Sequence, residues 1–325
     1  MFGPFVHDID PVIGVIGGFY LWWYGLTYTL GFLVTLFWLR LNRAVLALSA
    51  GGVYTLTLFI ATGVLLGGRL VEVVFYEWEY YGSHLVHVPA IWLGGMSTHG
   101  ILFGCIVSTW LYCRIYQRSF IEVLDVLVIA GAFIMGFGRI GNFIDGQIVG
   151  AVTEMPWGVK FPDLEGFRHP VVLYDGLKNL LLIPFLLLIR QMNPPRGILT
   201  AHFVLWYGLL RVFVDIFREY RTSLYGLPPG QEFNILMALT GIGMLFWFYR
   251  NAGKGRSTEE SLSSAKSNTV ASGLGLKRIA FLLLLLIPTI IPSDWTQDVP
   301  ARYGARHPGM THSWLYPPIG LEDGG

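Results

Sequence analysis

Long apolar runs recur along the chain, each close to the roughly 20 residues that carry a helix across a bilayer. They fall at 15–38, 44–66, 90–112, 121–138, 171–189, 198–217 and 232–249, which predicts seven membrane helices. The fifth run contains Pro184 and should kink there; neighbouring helices can satisfy the carbonyl that proline leaves without a donor. An eighth run, "IAFLLLLLIPTII" at 279–291, is shorter and either spans with help from its flanks or lies in the interface. Between the seventh and eighth runs, residues 251–276 are rich in Ser, Gly and Lys and poor in apolar side chains. A disordered linker is expected there.

The polar remainder of the chain orients these runs. Basic residues concentrate on the cytoplasmic side of membrane proteins. With the amino terminus outside, the inner segments hold Arg40, Arg43, Arg114, Arg118, Arg190 and Arg196, then Arg250, Lys254, Arg256, Lys266, Lys277 and Arg278. The outer face then receives two sizeable segments, 67–89 and 139–170, the second a small head. The tail after Trp295 joins them only if the eighth run spans.

Composition agrees with a polytopic protein: 54% of residues are hydrophobic and 13% charged, against about 25% charged in soluble domains. A net charge of +1 without a basic block argues against nucleic acid as a partner. Cys105 and Cys113 share one apolar run and suggest neither a disulfide framework nor a metal pair. His84 and His87 lack a third ligand nearby, so no metal site is expected.

Candidate chemistry gathers at the outer ends of the runs. Residues 138–150 read "GRIGNFIDGQIVG", where Arg139, Asn142, Asp145 and Gln147 sit among glycines. The match to G-x-G-x-x-G at 136–141 is not a dinucleotide loop, because the run before it has membrane-helix length rather than strand length. Glycines there would let a backbone turn tightly or a ligand come close. In "LLRVFVDIFREYR", Arg211, Asp215 and Arg218 fall on one helical face, at a depth similar to Arg139. Charges inside a bilayer are costly and mark functional sites. Several guanidiniums at one level can form a fork for a phosphate or carboxylate. The plainer alternative is a structural Arg211–Asp215 pair with Arg218 reaching for the interface, which leaves Arg139 unexplained. His99 and Tyr24 lie at the same outer level, and either alone would be ordinary.

Together these motifs resemble bacterial prolipoprotein diacylglyceryl transferases, whose signature usually reads GRxGNFxNGExxG. "WWYGLTYTLGF" is similar to the first-helix pattern of that family. "MSTHGILFG" resembles its histidine segment, "RHPVVLYDG" its HPxQLYE segment and "YGLLRVFVDIFRE" its arginine motif. Order and spacing agree over roughly residues 15–250. The resemblance implies an all-α polytopic fold in a bacterial cytoplasmic membrane, with the site towards the periplasm. It implies transfer of diacylglyceryl from phosphatidylglycerol to the lipobox cysteine of a prolipoprotein, releasing glycerol phosphate without a cofactor. The positions it points to as catalytic are Tyr24, His99, Arg139 and Arg211. Those it points to for substrate binding are Gly141, Asn142, Asp145, Gly150, Arg168, His169, Tyr174, Asp215 and Arg218.

Departures from the signature are visible too. Asp145 stands for the usual Asn, Gln147 for Glu, Val149 for an aromatic and Asp215 for Glu; Val171 and Val172 remove a common Gln. They leave open a paralogue that binds anionic lipid or signal peptide with altered activity. A small-anion transporter, suggested by "WYGL" at 23–26 and 206–209, would need a charged path to the inner face, where the runs carry few charges.

Overall fold

A computed structural model describes residues 5–162, 164–219, 231–252, 273–293 and 295–320. Most of the linker expected at 251–276 lies outside the described residues. The chain is an all-α polytopic membrane protein built from helices α1 (Trp23–Leu41), α2 (Ala50–Val71), α3 (Trp78–Ser83), α4 (Thr98–Ile115), α5 (Phe120–Asp145), α6 (Val171–Gln191), α7 (Ile198–Asp215), α8 (Gln231–Asn251), α9 (Leu274–Leu286) and α10 (Val299–Tyr303). Four short strands accompany them: β1 (Phe5–Val6), β2 (Val12–Ile16), β3 (Phe19–Trp22) and β4 (Val159–Lys160). Among the described residues, six helices, α1, α2, α5, α6, α7 and α8, are long and apolar enough to cross a membrane. The 18-residue α4 carries Thr98, His99, Ser108, Thr109 and Arg114 and falls outside those six.

The most extensive helix contacts are α2 with α4, α7 with α8, α1 with α5, and α5 with α6. The α2–α4 pair explains its own closeness. Gly63 and Gly67 on one helix meet Gly100 and Gly104 on the other, backbone against backbone, with Cβ positions that would collide with the facing carbonyls. In a bilayer there is no hydrophobic drive between helices, so small residues that permit such approach decide the pairing.

Several predicted runs have different limits; the second, expected at 44–66, becomes α2 at Ala50–Val71. Residues 12–22 form an antiparallel hairpin rather than the start of the first helix, because Gly17 and Gly18 both take positive φ and turn the chain. The third helix starts at Thr98 instead of 90; Gly94 and Gly95 at positive φ break the chain before it, and the Ser97 hydroxyl caps it by accepting from Gly100 N–H. The fourth helix does not stop at 138. It runs to Asp145, where Gly146 ends it in the left-handed conformation. Arg139, Gly141 and Asn142 are thus helical, not part of a glycine-rich turn. Gly141 is needed for packing: a Cβ there would lie 2.7 Å from the Tyr24 Cα on α1.

One end of the bundle is closed by a head drawn from four parts of the sequence, not from 139–170 alone. Val12, Tyr20 and Trp22 of the hairpin, Ala90 and Leu93, and Val299, Tyr303 and Tyr316 of the tail share one buried cluster. β1 pairs in parallel with β4 and ties the amino-terminal segment to the 146–170 loop. α9 returns the chain to this end. It runs antiparallel to α1, with the Thr29 hydroxyl donating to Leu285 O at 2.9 Å and Pro288 against Gly25.

Candidate functional site

The end of α5, the start of α6 and the end of α7 meet just beneath the head. Gly176 lets α6 approach α5 closely: a Cβ there would be 3.0 Å from Gly136 O and 3.1 Å from the Arg139 Cβ. That contact places Asp175, one residue earlier, beside Arg139. Arg139 Nε and Arg211 Nη1 each lie 2.6 Å from the same oxygen, Asp175 Oδ2. Lys178, one turn along α6, is 3.2 Å from Oδ1 of that carboxylate and sits over the Tyr207 ring. Arg211 Nε also reaches Asp215 Oδ1 at 3.3 Å, and Arg218 Nη1 approaches the same oxygen at 3.8 Å.

Among the described residues, four cations here face two carboxylates, Asp175 and Asp215, both 2% exposed. Buried like charges repel strongly in a low-dielectric setting, so such an excess invites an anion. Ile148, Val171 and Val172 close around Arg139, Asp175, Arg211 and Arg218 in a cleft too tight in this state to admit a water molecule. The two arginines are therefore not the open forks the sequence suggested. In this state Asp175 occupies the position between them that an incoming anion would contest.

Asn142 lies one turn beyond Arg139 on α5 and extends the network. Its Oδ1 accepts from Arg139 Nη1 at 3.2 Å, and its Nδ2 donates to Ser293 Oγ at 2.6 Å. Ser293 N–H donates to Asp145 Oδ2 at 2.9 Å. Tyr24, on the α1 surface packed against Gly141, shares a hydrogen bond with Tyr28 at 2.9 Å.

Gly150, Arg168, His169 and Tyr174 form an adjoining strap. Gly150 N–H donates to His169 O, Ala151 N–H donates to Phe217 O, and Gly150 bridges Arg218. A Cβ on Gly150 would lie 2.6 Å from His169 O and 2.7 Å from Phe217 O, so glycine is required for three segments to meet. Arg168 pairs with Glu219. The Tyr174 hydroxyl takes a hydrogen bond from Trp157 Nε1 and shares one with His169 Nδ1, and burial lowers the affinity of that imidazole for a proton.

His99 stands apart from this network. It is exposed on the first turn of α4, stacked on Tyr76 and hydrogen bonded to that hydroxyl through Nδ1 at 2.9 Å. Phe233 of α8 also lies near it, tilted, with ring centroids 6.3 Å apart. Among the described residues no hydrogen bond joins His99 to the arginines.

Sequence reasoning missed Asp175, Lys178 and the tail residues Ser293, Arg302 and Arg306. Asp175 had a signal: it is an acidic residue inside an apolar helix, and such a charge needs a cation. The tail had none, since its contacts join positions about 150 residues apart.

A family model described as Prolipoprotein diacylglyceryl transferase matches residues 11–247. The phosphatidylglycerol–prolipoprotein diacylglyceryl transferase of Nitrosomonas europaea is 37% identical over 277 residues, covering 81% of this chain and 99% of that protein. The protein of that name from Geobacter sulfurreducens is 38% identical over 244 residues, covering 73% and 94%.

Proposed function

From the premise that this chain belongs to the prolipoprotein diacylglyceryl transferase family, we propose that it moves the diacylglyceryl group of phosphatidylglycerol onto the lipobox cysteine of prolipoproteins. It is a transferase. In the proposed step the cysteine sulfur attacks the glycerol carbon that carries the phosphodiester. A carbon–sulfur bond forms, the carbon–oxygen bond breaks, and glycerol phosphate leaves with the electron pair. The thiol proton passes to a base, and no cofactor enters.

The observation that supports this reading is the cation excess around Asp175. The leaving group turns from a phosphodiester into a phosphomonoester, so negative charge grows on its oxygens. Preorganised cations in a low-dielectric site act where that charge develops. Arg139 and Arg211 are assigned to it, with Lys178 and Arg218 adding to the field. The phosphate would displace Asp175 from part of its hold on the two guanidiniums. Asn142 and Gly141 orient Arg139, while Asp145, Asp215 and the strap of Gly150, Arg168, His169 and Tyr174 shape the head-group surroundings. His99, exposed and paired with Tyr76, is assigned the thiol proton, with Tyr24 as a relay. A free thiol has a pKa near 8.5, so a base raises the fraction of nucleophilic thiolate.

The proposed setting is the bacterial inner membrane with the head on the periplasmic side. Arg40, Arg43, Arg114, Arg118, Arg190, Arg196, Arg250, Lys277 and Arg278 flank the helix ends away from the head, as a cytoplasmic face requires. Both substrates are membrane-anchored, which suits a site just below the surface.

Transfer of labelled diacylglyceryl from phosphatidylglycerol to a lipobox peptide tests the reading. Activity in the wild-type protein that collapses in Arg139→Ala and Arg211→Ala supports it. A folded wild type that binds phosphatidylglycerol without transfer overturns it in favour of a lipid-binding paralogue.

A further inference from the structure

The family match ends at residue 247, yet Ser293, Arg302 and Arg306 contact the end of α5 and the residues just after it. We propose that this carboxy-terminal segment completes the active site, with Ser293 as a positioning residue that sets Asn142 and, through it, Arg139. The inference rests on the transferase reading above.

Ser293 is fully buried and engages α5 twice. Its hydroxyl accepts from Asn142 Nδ2 at 2.6 Å, and its backbone N–H donates to Asp145 Oδ2 at 2.9 Å. An amide side chain presents a donor at one end and an acceptor at the other. With Nδ2 committed to the serine hydroxyl, Oδ1 must face the guanidinium, where it accepts from Arg139 Nη1 at 3.2 Å. Remove the hydroxyl and the amide is free to flip, placing an NH₂ group against a cation. Arg139 would then lose the contact that holds its fork while Asp175 pulls from the other side.

A second set of contacts points the same way. Besides Asn142, the tail engages two of the positions at which this chain departs from the family signature, Asp145 and Gln147. The Asp145 carboxylate takes the Ser293 N–H, and its carbonyl takes Arg306 Nη2 at 2.7 Å. Gln147 Nε2 donates to the Tyr303 hydroxyl at 3.1 Å, and its Oε1 accepts from Arg302 Nη2 at 3.4 Å. Arg306 Nη1 also donates to the carbonyls of Ile9 and Ile144, so the tail clamps the last turn of α5 to the amino-terminal segment. A carboxylate at 145 suits a backbone N–H with a guanidinium nearby. An uncharged amide at 147 suits a tyrosine hydroxyl and an arginine together. The departures thus fit the tail rather than signalling lost chemistry.

The test is kinetic, in the full-length protein. Ser293→Ala should lower kcat by between about tenfold and a hundredfold, the range expected when a reacting group loses its alignment, while KM for phosphatidylglycerol changes far less. Ser293→Cys, nearly isosteric but a weaker acceptor, should fall between wild type and Ala, and serves if the Ala variant fails to fold. In an Arg139→Lys background the same substitutions should cost little more, because the group they position is already compromised. Wild-type kcat in a folded Ser293→Ala or Ser293→Cys variant overturns the proposal, as does a loss that adds in full to that of Arg139→Lys. An inactive wild-type protein would instead defeat the transferase reading itself.

Discussion

Arg139 and Arg211, on helices that lie far apart in sequence, hold one carboxylate oxygen between them, Asp175 Oδ2, each at 2.6 Å. Neither arginine is poised alone. Their mutual repulsion is relieved by a buried carboxylate that also binds Lys178, and the three cations share one anchor.

Asp175→Asn should therefore unsettle the protein before it alters any substrate contact. Removing one partner from a buried charge network typically costs about 3–5 kcal/mol. Thermal unfolding in detergent or nanodiscs should show a Tm drop of several degrees, together with loss of transfer. An unchanged Tm would mean the arginines find other partners and the node is not structural.

Gly141→Ala should act through helix spacing. The added Cβ would lie 2.7 Å from the Tyr24 Cα and 3.1 Å from its ring, and backbone cannot yield as a side chain does. Overpacking of this kind costs about 1–3 kcal/mol. The displacement would separate Tyr24 from Asn142 and Arg139, so activity should fall more than stability. Crosslinking of cysteines placed across α1 and α5 reads the separation directly.

His99→Ala should behave in the opposite sense. Its side chain is exposed and bonded only to Tyr76 among the described residues, so the stability change should stay within about 0.5 kcal/mol. Loss of a proton acceptor should lower kcat by about a hundredfold or more. If kcat survives within a few fold, the thiol proton goes elsewhere.

His7 gives the head a pH limit. It is buried, stacked on Phe161, and its Nε2 donates to Phe143 O at 2.6 Å. Burial, with Arg306 nearby, holds its affinity for protons below the ordinary value of 6.5. The unfolded chain then binds the proton more readily, so stability is whole above pH 6.5 and declines as the pH falls through and below it. Tm followed from about pH 8 to pH 5 should drop, and drop less in His7→Asn. Parallel curves for the two proteins would rule His7 out.

Much of the fold was legible because a bilayer prices apolar length so plainly. The runs at 171–189 and 232–249 lie within observed helices, 198–217 overruns α7 by two residues, and 44–66 overlaps α2 from residue 50. Errors came where hydropathy was right and local geometry was not. Residues 12–22 are apolar enough for a helix, yet Gly17 and Gly18 fold them into a hairpin. The glycines after Phe137 suggested a turn, whereas Gly138 and Gly141 lie inside a helix that presses on α1. Arg139, Arg211 and Asn142 stood out because polar groups at that depth demand a reason. Asp175 carried the same signal and was passed over, whereas Ser293 was hidden by the length of chain between it and its partners.

The order in which the chain is made adds a last consequence to the grip of the tail on α5. A ribosome finishes Arg139, Asn142 and Asp145 well before it reaches Ser293 and Arg306. During that interval the nascent protein can already insert α5, α6 and α7 and pair Arg139 with Asp175, while Asn142 and Asp145 still lack the donors and acceptors they will hold when mature. On the proposed role of the tail, competence arrives late in synthesis, and a chain stopped before Ser293 would be inserted but unfinished.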